Sequence, residues 1–161
     1  MSGRLAGKIA LITGAGCVGP GWGNGKASAV AYSREGAIVI CVDVNKGAAV
    51  ETVALIAGEG GRAEAHSCDV TSGAEIEALV AATMAKHGRI DILHNNVGHA
   101  KMGGPPDLSE EEWQRELDLN VTGAFLACKH VIPVMQRQKK GVITIISSIA
   151  AIRYTGYPYA S

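Results

Sequence analysis

The sequence predicts a doubly wound α/β fold, one parallel sheet covered by helices on both faces, and three observations carry that prediction. Short apolar runs alternate with helix-length amphipathic segments, the connections between them are short, and the first apolar run breaks directly into six glycines between Gly14 and Gly25. Strands joined by crossover helices pair in parallel, and such sheets bury both faces. With 161 residues and 47% hydrophobic content, the chain reads as a single domain over 1–161, able to bury about 70% of its extended-chain surface.

Each element follows from its pattern. Ile9-Ala10-Leu11-Ile12 is the first strand, and an alanine-rich helix follows Gly25. Ala37 to Val42 is the second strand, ending at Asp43. Asn45 caps a helix with Val50, Val53, Ala54 and Ala57 at i, i+3, i+4 and i+7, stopped by Gly58, Gly60 and Gly61. A short third strand is expected through His66 to Val70. Ser72 with Glu75 reads as a capping box opening a helix that buries Ile76, Leu79, Val80 and Thr83 and ends near Gly88. Ile90 to His94 is the fourth strand. Ser109 with Glu112 is a second capping box, with Trp113 and Leu117 on the expected buried side. A longer helix spans about Thr122 to Arg137 despite Pro133, and Val142 to Ile146 is the fifth strand.

A strand that runs into glycine and then helix is suited to hold phosphate. Glycine lets backbone N–H groups approach an anion closely, and the helix N-terminus adds unpaired donors and partial positive charge. A nucleoside-triphosphate loop needs G-x-x-x-x-G-K-[ST]; aligning Gly25-Lys26 puts Pro20 at the first glycine and Ala27 at the hydroxyl, so that reading fails. A dinucleotide-binding turn needs spaced glycines and an acid at the end of the next strand roughly 20 residues on, where Asp43 stands. A carboxylate there accepts hydrogen bonds from the ribose hydroxyls of NAD and repels the 2′-phosphate of NADP. Lys46 offsets Asp43 only weakly as the start of a solvated helix, so NAD is the expected cofactor.

The 15 basic and 15 acidic side chains balance, which removes the electrostatic case for nucleic acid or an anionic membrane as partner. Cys17, Cys41, Cys68 and Cys128 lack C-x-x-C spacing and read as reduced thiols. No apolar run approaches a membrane span and the amino end lacks a signal-peptide core, so a cytoplasmic protein is expected. His66, His87, His94, His99 and His130 show no metal-ligand spacing, and no metal is expected.

Thr13-Gly14-Ala15-Gly16 with Gly23-Asn24-Gly25, Asp69-Val70, Asn95-Asn96-Val97-Gly98, Asn120-Val121-x-Gly123 and Ile146-Ser147-Ser148 occur in order. Together they resemble the successive signatures of the classical short-chain dehydrogenase/reductases, from Lys8 to the last residue. The chain departs from the family's T-G-x-x-x-G-x-G turn by five extra residues between Gly16 and Gly23.

The resemblance implies a Rossmann-type fold in which Gly14, Gly16, Asn24 and Gly25 wrap the pyrophosphate, Asp43 holds the adenosine ribose, and Asp69-Val70 meet the adenine. Asn96 and Gly98 would lie along the cofactor, with Asn95 bracing the sheet. Asp69 also has a plainer reading as the start of the turn before Ser72. Ser148 would hold the substrate carbonyl as the catalytic hydroxyl, with Ser147 as the alternative, and Asn120 would stabilise the helix bend and a proton-relay water. His99 is a loop residue within reach of substrate.

The family's base is a tyrosine with a lysine four residues on. Tyr154 would pair with Pro158 and Tyr157 with Ser161, so neither fits. The expectation is an amino-terminal portion of a longer enzyme, its sheet incomplete at the carboxyl end and the Tyr-x-x-x-Lys helix beyond residue 161. The implied reaction is NAD-dependent interconversion of a neutral secondary alcohol and a ketone by a homotetramer or homodimer. The alternatives are a 3-oxoacyl thioester reductase and a non-catalytic dinucleotide-binding module.

Overall fold

A computed structural model describes residues 3–153 and 156. Five strands, β1 (Ile9–Thr13), β2 (Ile38–Asp43), β3 (Arg62–Ser67), β4 (Ile92–Asn95) and β5 (Val142–Ile145), form one sheet in the order β3-β2-β1-β4-β5. Every pairing is parallel, with Ile9 beside Ile38 and Ala10 beside Ile92. The helices are α1 (Asn24–Arg34), α2 (Lys46–Gly58), α3 (Gly73–His87), α4 (Glu110–Leu117) and α5 (Gly123–Gln138), with a π-helical turn, Asp118–Thr122, joining the last two.

Strand alternation divides the core into two layers. Ile9 and Leu11 of β1, Ile40 and Val42 of β2, and Leu93 of β4 pack with Ile76, Leu79 and Val80 of α3 and with Val131 and Val134 of α5. Their neighbours Ala10, Ile12, Val39, Cys41 and Ile92 face Ala29 and Val30 of α1 and Ala49 and Ile56 of α2. Both faces of the central strands are therefore dry, as a parallel sheet requires. Cys41 lies in the second layer, where burial pushes its thiol up to about 12, so it serves as packing rather than as a nucleophile.

Four local expectations are corrected. The third strand is Arg62–Ser67, not His66–Val70; Cys68 to Val70 leave the ladder because Asp69 starts a turn, Ser72 N donating to its carbonyl at 3.0 Å. The fourth strand starts at Ile92, since Ile90 and Asp91 are spent anchoring the entry to the sheet. In α4 the buried residue is Glu116, whereas Trp113 is 46% exposed. A partnered carboxylate displaced the aromatic that periodicity would have buried. The Ser72 box is half-formed: Ser72 Oγ accepts from Glu75 N at 3.3 Å, but the Glu75 carboxylate accepts from Asp69 N. At Ser109 both halves are present.

Asp91 holds the end of the sheet opposite the glycine turn. Its carboxylate accepts from Ile9 N at 3.0 Å and pairs with Arg89 and, at 3.5 Å, with Lys8. Burial by itself raises its pKa, but the Arg89 guanidinium, the Ile9 N–H and the Lys8 charge outweigh that and hold the carboxyl below its ordinary value. A depressed carboxyl contributes stability above its unfolded pKa and loses it as pH falls through the folded value. In the full-length protein Asp91→Asn is expected to cost about 3 kcal/mol at pH 7, the low end for breaking a buried pair, with the gap held down to about pH 4 and narrowing as pH falls below it. Urea unfolding of both proteins across that range checks it; a gap that widens on acidification would overturn the assignment.

Candidate active site

The strands of a parallel sheet all end at one rim, and the loops leaving that rim build the site. Here those loops enclose a cleft of about 950 Å³. Gly14, Gly16, Asn24, Gly25, Asp43, Asp69, Val70, Asn96 and Gly98 all line it, although they come from four separate crossovers. Asn120 and Ser148 are not among its lining residues. Tyr154 and Tyr157, with Pro158 and Ser161, on which the expectation about the base turns, lie outside the described residues.

The turn after β1 is locked from β4. Gly14 sits in the left-handed region, at φ 62°, and its carbonyl accepts from Asn96 Nδ2 at 3.1 Å. Asn96 N donates to Thr13 Oγ1 at 3.1 Å, and Thr13 Oγ1 donates to the buried Asn95 Oδ1 at 3.3 Å. Asn95 thus braces β1 against β4. Helix α1 enters so close to this turn that a Cβ on Gly25 would lie 1.8 Å from the Gly14 carbonyl oxygen.

Asn45, Ser72 and Ser109 cap α2, α3 and α4, but α1 begins at Gly23 with no side-chain cap and no acid in its first turn. Its leading N–H groups therefore remain available to an anion. The loop inserted before it carries the exposed Val18 and Trp22. The buried Lys26 tethers that loop, Nζ donating to the Gly21 carbonyl at 3.3 Å and standing 3.7 Å from Glu51. Cys17 and Val18 line the cleft as well.

Asp43 stands beside the turn. Its Oδ2 accepts from Gly16 N at 3.0 Å and its Oδ1 from Asn45 N at 2.9 Å. Each oxygen keeps a further lone pair for a ligand hydroxyl. Asp69 serves its turn through Oδ1, which accepts from Thr71 N and Thr71 Oγ1 at 2.9 and 2.8 Å, and it also lines the cleft. Cys68 beside it has its thiol pushed up to about 11, by burial first and then by the charges of Glu75 and Asp69. It is no nucleophile.

Asn120 occupies the π turn. Its Nδ2 donates to the carbonyls of Glu116 at 2.9 Å and His99 at 2.8 Å, while its Oδ1 accepts from His99 N at 3.0 Å. One amide thus fastens the helix bend to the loop after β4. Ser148 follows β5 in extended conformation and is exposed. Its Oγ accepts from Ala150 N at 3.2 Å, which fixes the side chain and leaves its O–H to donate. The loops after β4 and β5 run together, since Ile146 N donates to the Asn95 carbonyl at 2.9 Å.

Sequence reasoning missed one wall of the cleft. Glu111, Gln114 and Arg115 of α4 line it together with Asp118 at the start of the π turn, and their i, i+3, i+4, i+7 spacing was a visible signal of one polar helical face. Among the described residues no group of three His, Cys, Asp or Glu side chains could hold a metal ion, and no helix is long and apolar enough to cross a membrane.

Comparison with known proteins agrees with this architecture. The family model for short chain dehydrogenases matches residues 8–161. The 7α-hydroxysteroid dehydrogenase of Escherichia coli is 41% identical over 150 residues, 92% of this chain and 56% of that protein. A short-chain dehydrogenase/reductase structure from Burkholderia xenovorans superposes with TM-score 0.95 at 51% identity, covering 98% of this chain and 62% of that one. A 7α-hydroxysteroid dehydrogenase solved with NADH and 7-oxo glycochenodeoxycholic acid has TM-score 0.86 at 39% identity, covering 94% and 57%. A metagenomic short-chain oxidoreductase solved with NADP has TM-score 0.86 at 32% identity, covering 94% and 66%. The chain belongs to the short-chain dehydrogenase/reductase family. It spans about half the length of the curated relatives it matches.

Proposed function

We propose that the full-length protein is an NAD-dependent oxidoreductase interconverting a secondary alcohol and a ketone. The observation that carries this reading is the convergence of the glycine turn, Asp43, Asp69-Val70, Asn96 and Gly98 on one cleft, at the rim where Ser148 also emerges. The residues present fit a dinucleotide. The uncapped start of α1 suits the pyrophosphate, Asp43 has lone pairs for two ribose hydroxyls, and Asp69-Val70 suit the adenine. When bound, NAD supplies the hydride acceptor.

The chain's own residues do the rest. Ser148 donates its hydroxyl hydrogen to the substrate oxygen as negative charge develops there. Asn120 keeps the helix bend and the loop after β4 in register, so that the substrate carbon is held against the cofactor. In this reading the exposed apolar side chains Val121, Phe125 and Ile132 on the outer face of the π turn and α5 form a two-fold contact in a homodimer or homotetramer.

A panel of secondary alcohols and ketones assayed with NAD and with NADP tests the proposal, read by nicotinamide absorbance. Turnover with NAD in preference to NADP is expected; no turnover with either cofactor would overturn it. Asp43→Ala is expected to weaken NAD binding about ten- to a hundredfold, since a hydrogen bond to a charged group is worth about 1.5–3 kcal/mol. Calorimetric titration checks it, and unchanged affinity would move the ribose site elsewhere.

A further inference from the structure

Glu116 and Asp91 are the two buried carboxylates among the described residues. Asp91 ties the far end of the sheet, but Glu116 works at the rim. Only 2% exposed, it places one oxygen in a short hydrogen bond with His99 Nδ1 and accepts from Lys101 N with the other at 3.1 Å. Asn120 grips the His99 backbone at both N–H and carbonyl. His99 is thus fixed at three atoms.

Its side chain is nevertheless 57% exposed, and Nε2 has no hydrogen-bond partner among the described residues. A carboxylate only accepts, so Nδ1 carries the hydrogen, and in the neutral ring Nε2 is left as a bare acceptor. Burying a carboxylate is costly unless its oxygens are matched, and here the matched partner is an imidazole of set tautomer and orientation. The position is also specific. Like Ser148, His99 is not itself among the residues that line the cleft, but it directly follows Gly98, which does, in the loop that runs beside the segment leading to Ser148.

We propose that His99 is a specificity-determining residue whose Nε2 accepts a hydrogen bond from a second hydroxyl of the substrate, so that the substrate class is a polyhydroxylated secondary alcohol and its hydroxyketone. The inference rests on the oxidoreductase reading above. A plain apolar alcohol leaves the fixed acceptor unpaired, and a site built to take a hydroxyl discriminates against the analogue lacking it.

The test uses the full-length enzyme with butan-2-ol, butane-2,3-diol and butane-1,3-diol. At least one diol is expected to have kcat/KM about tenfold or more above butan-2-ol, and His99→Leu is expected to collapse that ratio. A residue that only stabilised the loop would lower all three rates together and preserve the ratio, which would overturn the inference. A ratio near one in the unmutated enzyme would overturn it too. Oxidation of none of the three alcohols, where the wider panel of alcohols and ketones still shows turnover, overturns the inference and leaves the oxidoreductase reading standing, whereas no turnover across that panel defeats both. Nitrogen-15 NMR of the His99 ring in the unmutated enzyme gives an independent reading should the leucine variant not fold. The Nε2 resonance should move on titration with the preferred diol in the presence of NAD and stay still with butan-2-ol; a resonance that stays still with both diols refutes the contact.

Discussion

In the full-length enzyme Ser148→Ala is expected to lower kcat by about 10²- to 10³-fold while NAD affinity stays nearly constant, the signature of one lost donor to a developing oxyanion. The geometry makes Ser148 the stronger of the two adjacent serines. Its Oγ is already fixed by the Ala150 N–H and has its hydrogen free, whereas no hydrogen bond positions the Ser147 hydroxyl among the described residues. Ser147→Ala should therefore be nearly silent. Stopped-flow measurement of hydride transfer in both variants separates the cases. A large loss at Ser147 would shift the register by one residue, and no loss at either would remove the strand end from the chemistry.

The second large effect is expected at Gly25. A side chain there meets the Gly14 carbonyl oxygen at 1.8 Å and the Asn96 amide nitrogen at 2.6 Å, both parts of the turn itself. Gly25→Val should abolish detectable dinucleotide binding and also destabilise the fold by about 3 kcal/mol, lowering Tm by roughly 6–12 °C for a protein of this size. Gly25→Ala should already show most of both losses, because the Cβ alone makes the clash. Calorimetric NAD titration paired with thermal unfolding checks this. Lost binding at unchanged Tm would mean that Gly25 clears space for the ligand and not for the turn.

The parallel sheet was legible because its signals are local and redundant: apolar runs of strand length, caps at Asn45, Ser72 and Ser109, and glycines after the first strand. The nine residues assigned to the cofactor do line one cleft, since all lie at strand ends, in the loops that leave them or at the start of α1, on the same rim. What escaped reading depends on contacts across the chain. Trp113 and Glu116 exchange the roles that periodicity assigns them because donors 15 and 17 residues away, the Lys101 backbone N–H and His99 Nδ1, satisfy the buried carboxylate. His94 ends the strand expected from Ile90 and is a buried member of β4, but the partner of its ring was not legible. Its Nδ1 lies 2.7 Å from Thr144 Oγ1, and burial lowers its pKa. No local pattern announces a partner that arrives on another strand.

The π turn bears on which length changes the family can accept. An α-helix advances about 100° per residue, and a π turn holds one residue more than an α turn would. The turn absorbs that extra residue and so keeps the phase between α4, whose polar face lines the cleft, and α5, whose Val131 and Val134 seal the sheet. Substitutions within Asp118–Thr122 leave this phase intact. Loss of a single residue there leaves an ordinary α turn with the same phase, whereas loss of one from the α-helical stretch on either side rotates what lies beyond it by about a quarter turn, carrying valines out of the core and surface side chains toward it. The spacing from the α4 polar face to the apolar face of α5 can accordingly change by one residue in this turn, while Asn120 within it remains tied to the loop after β4.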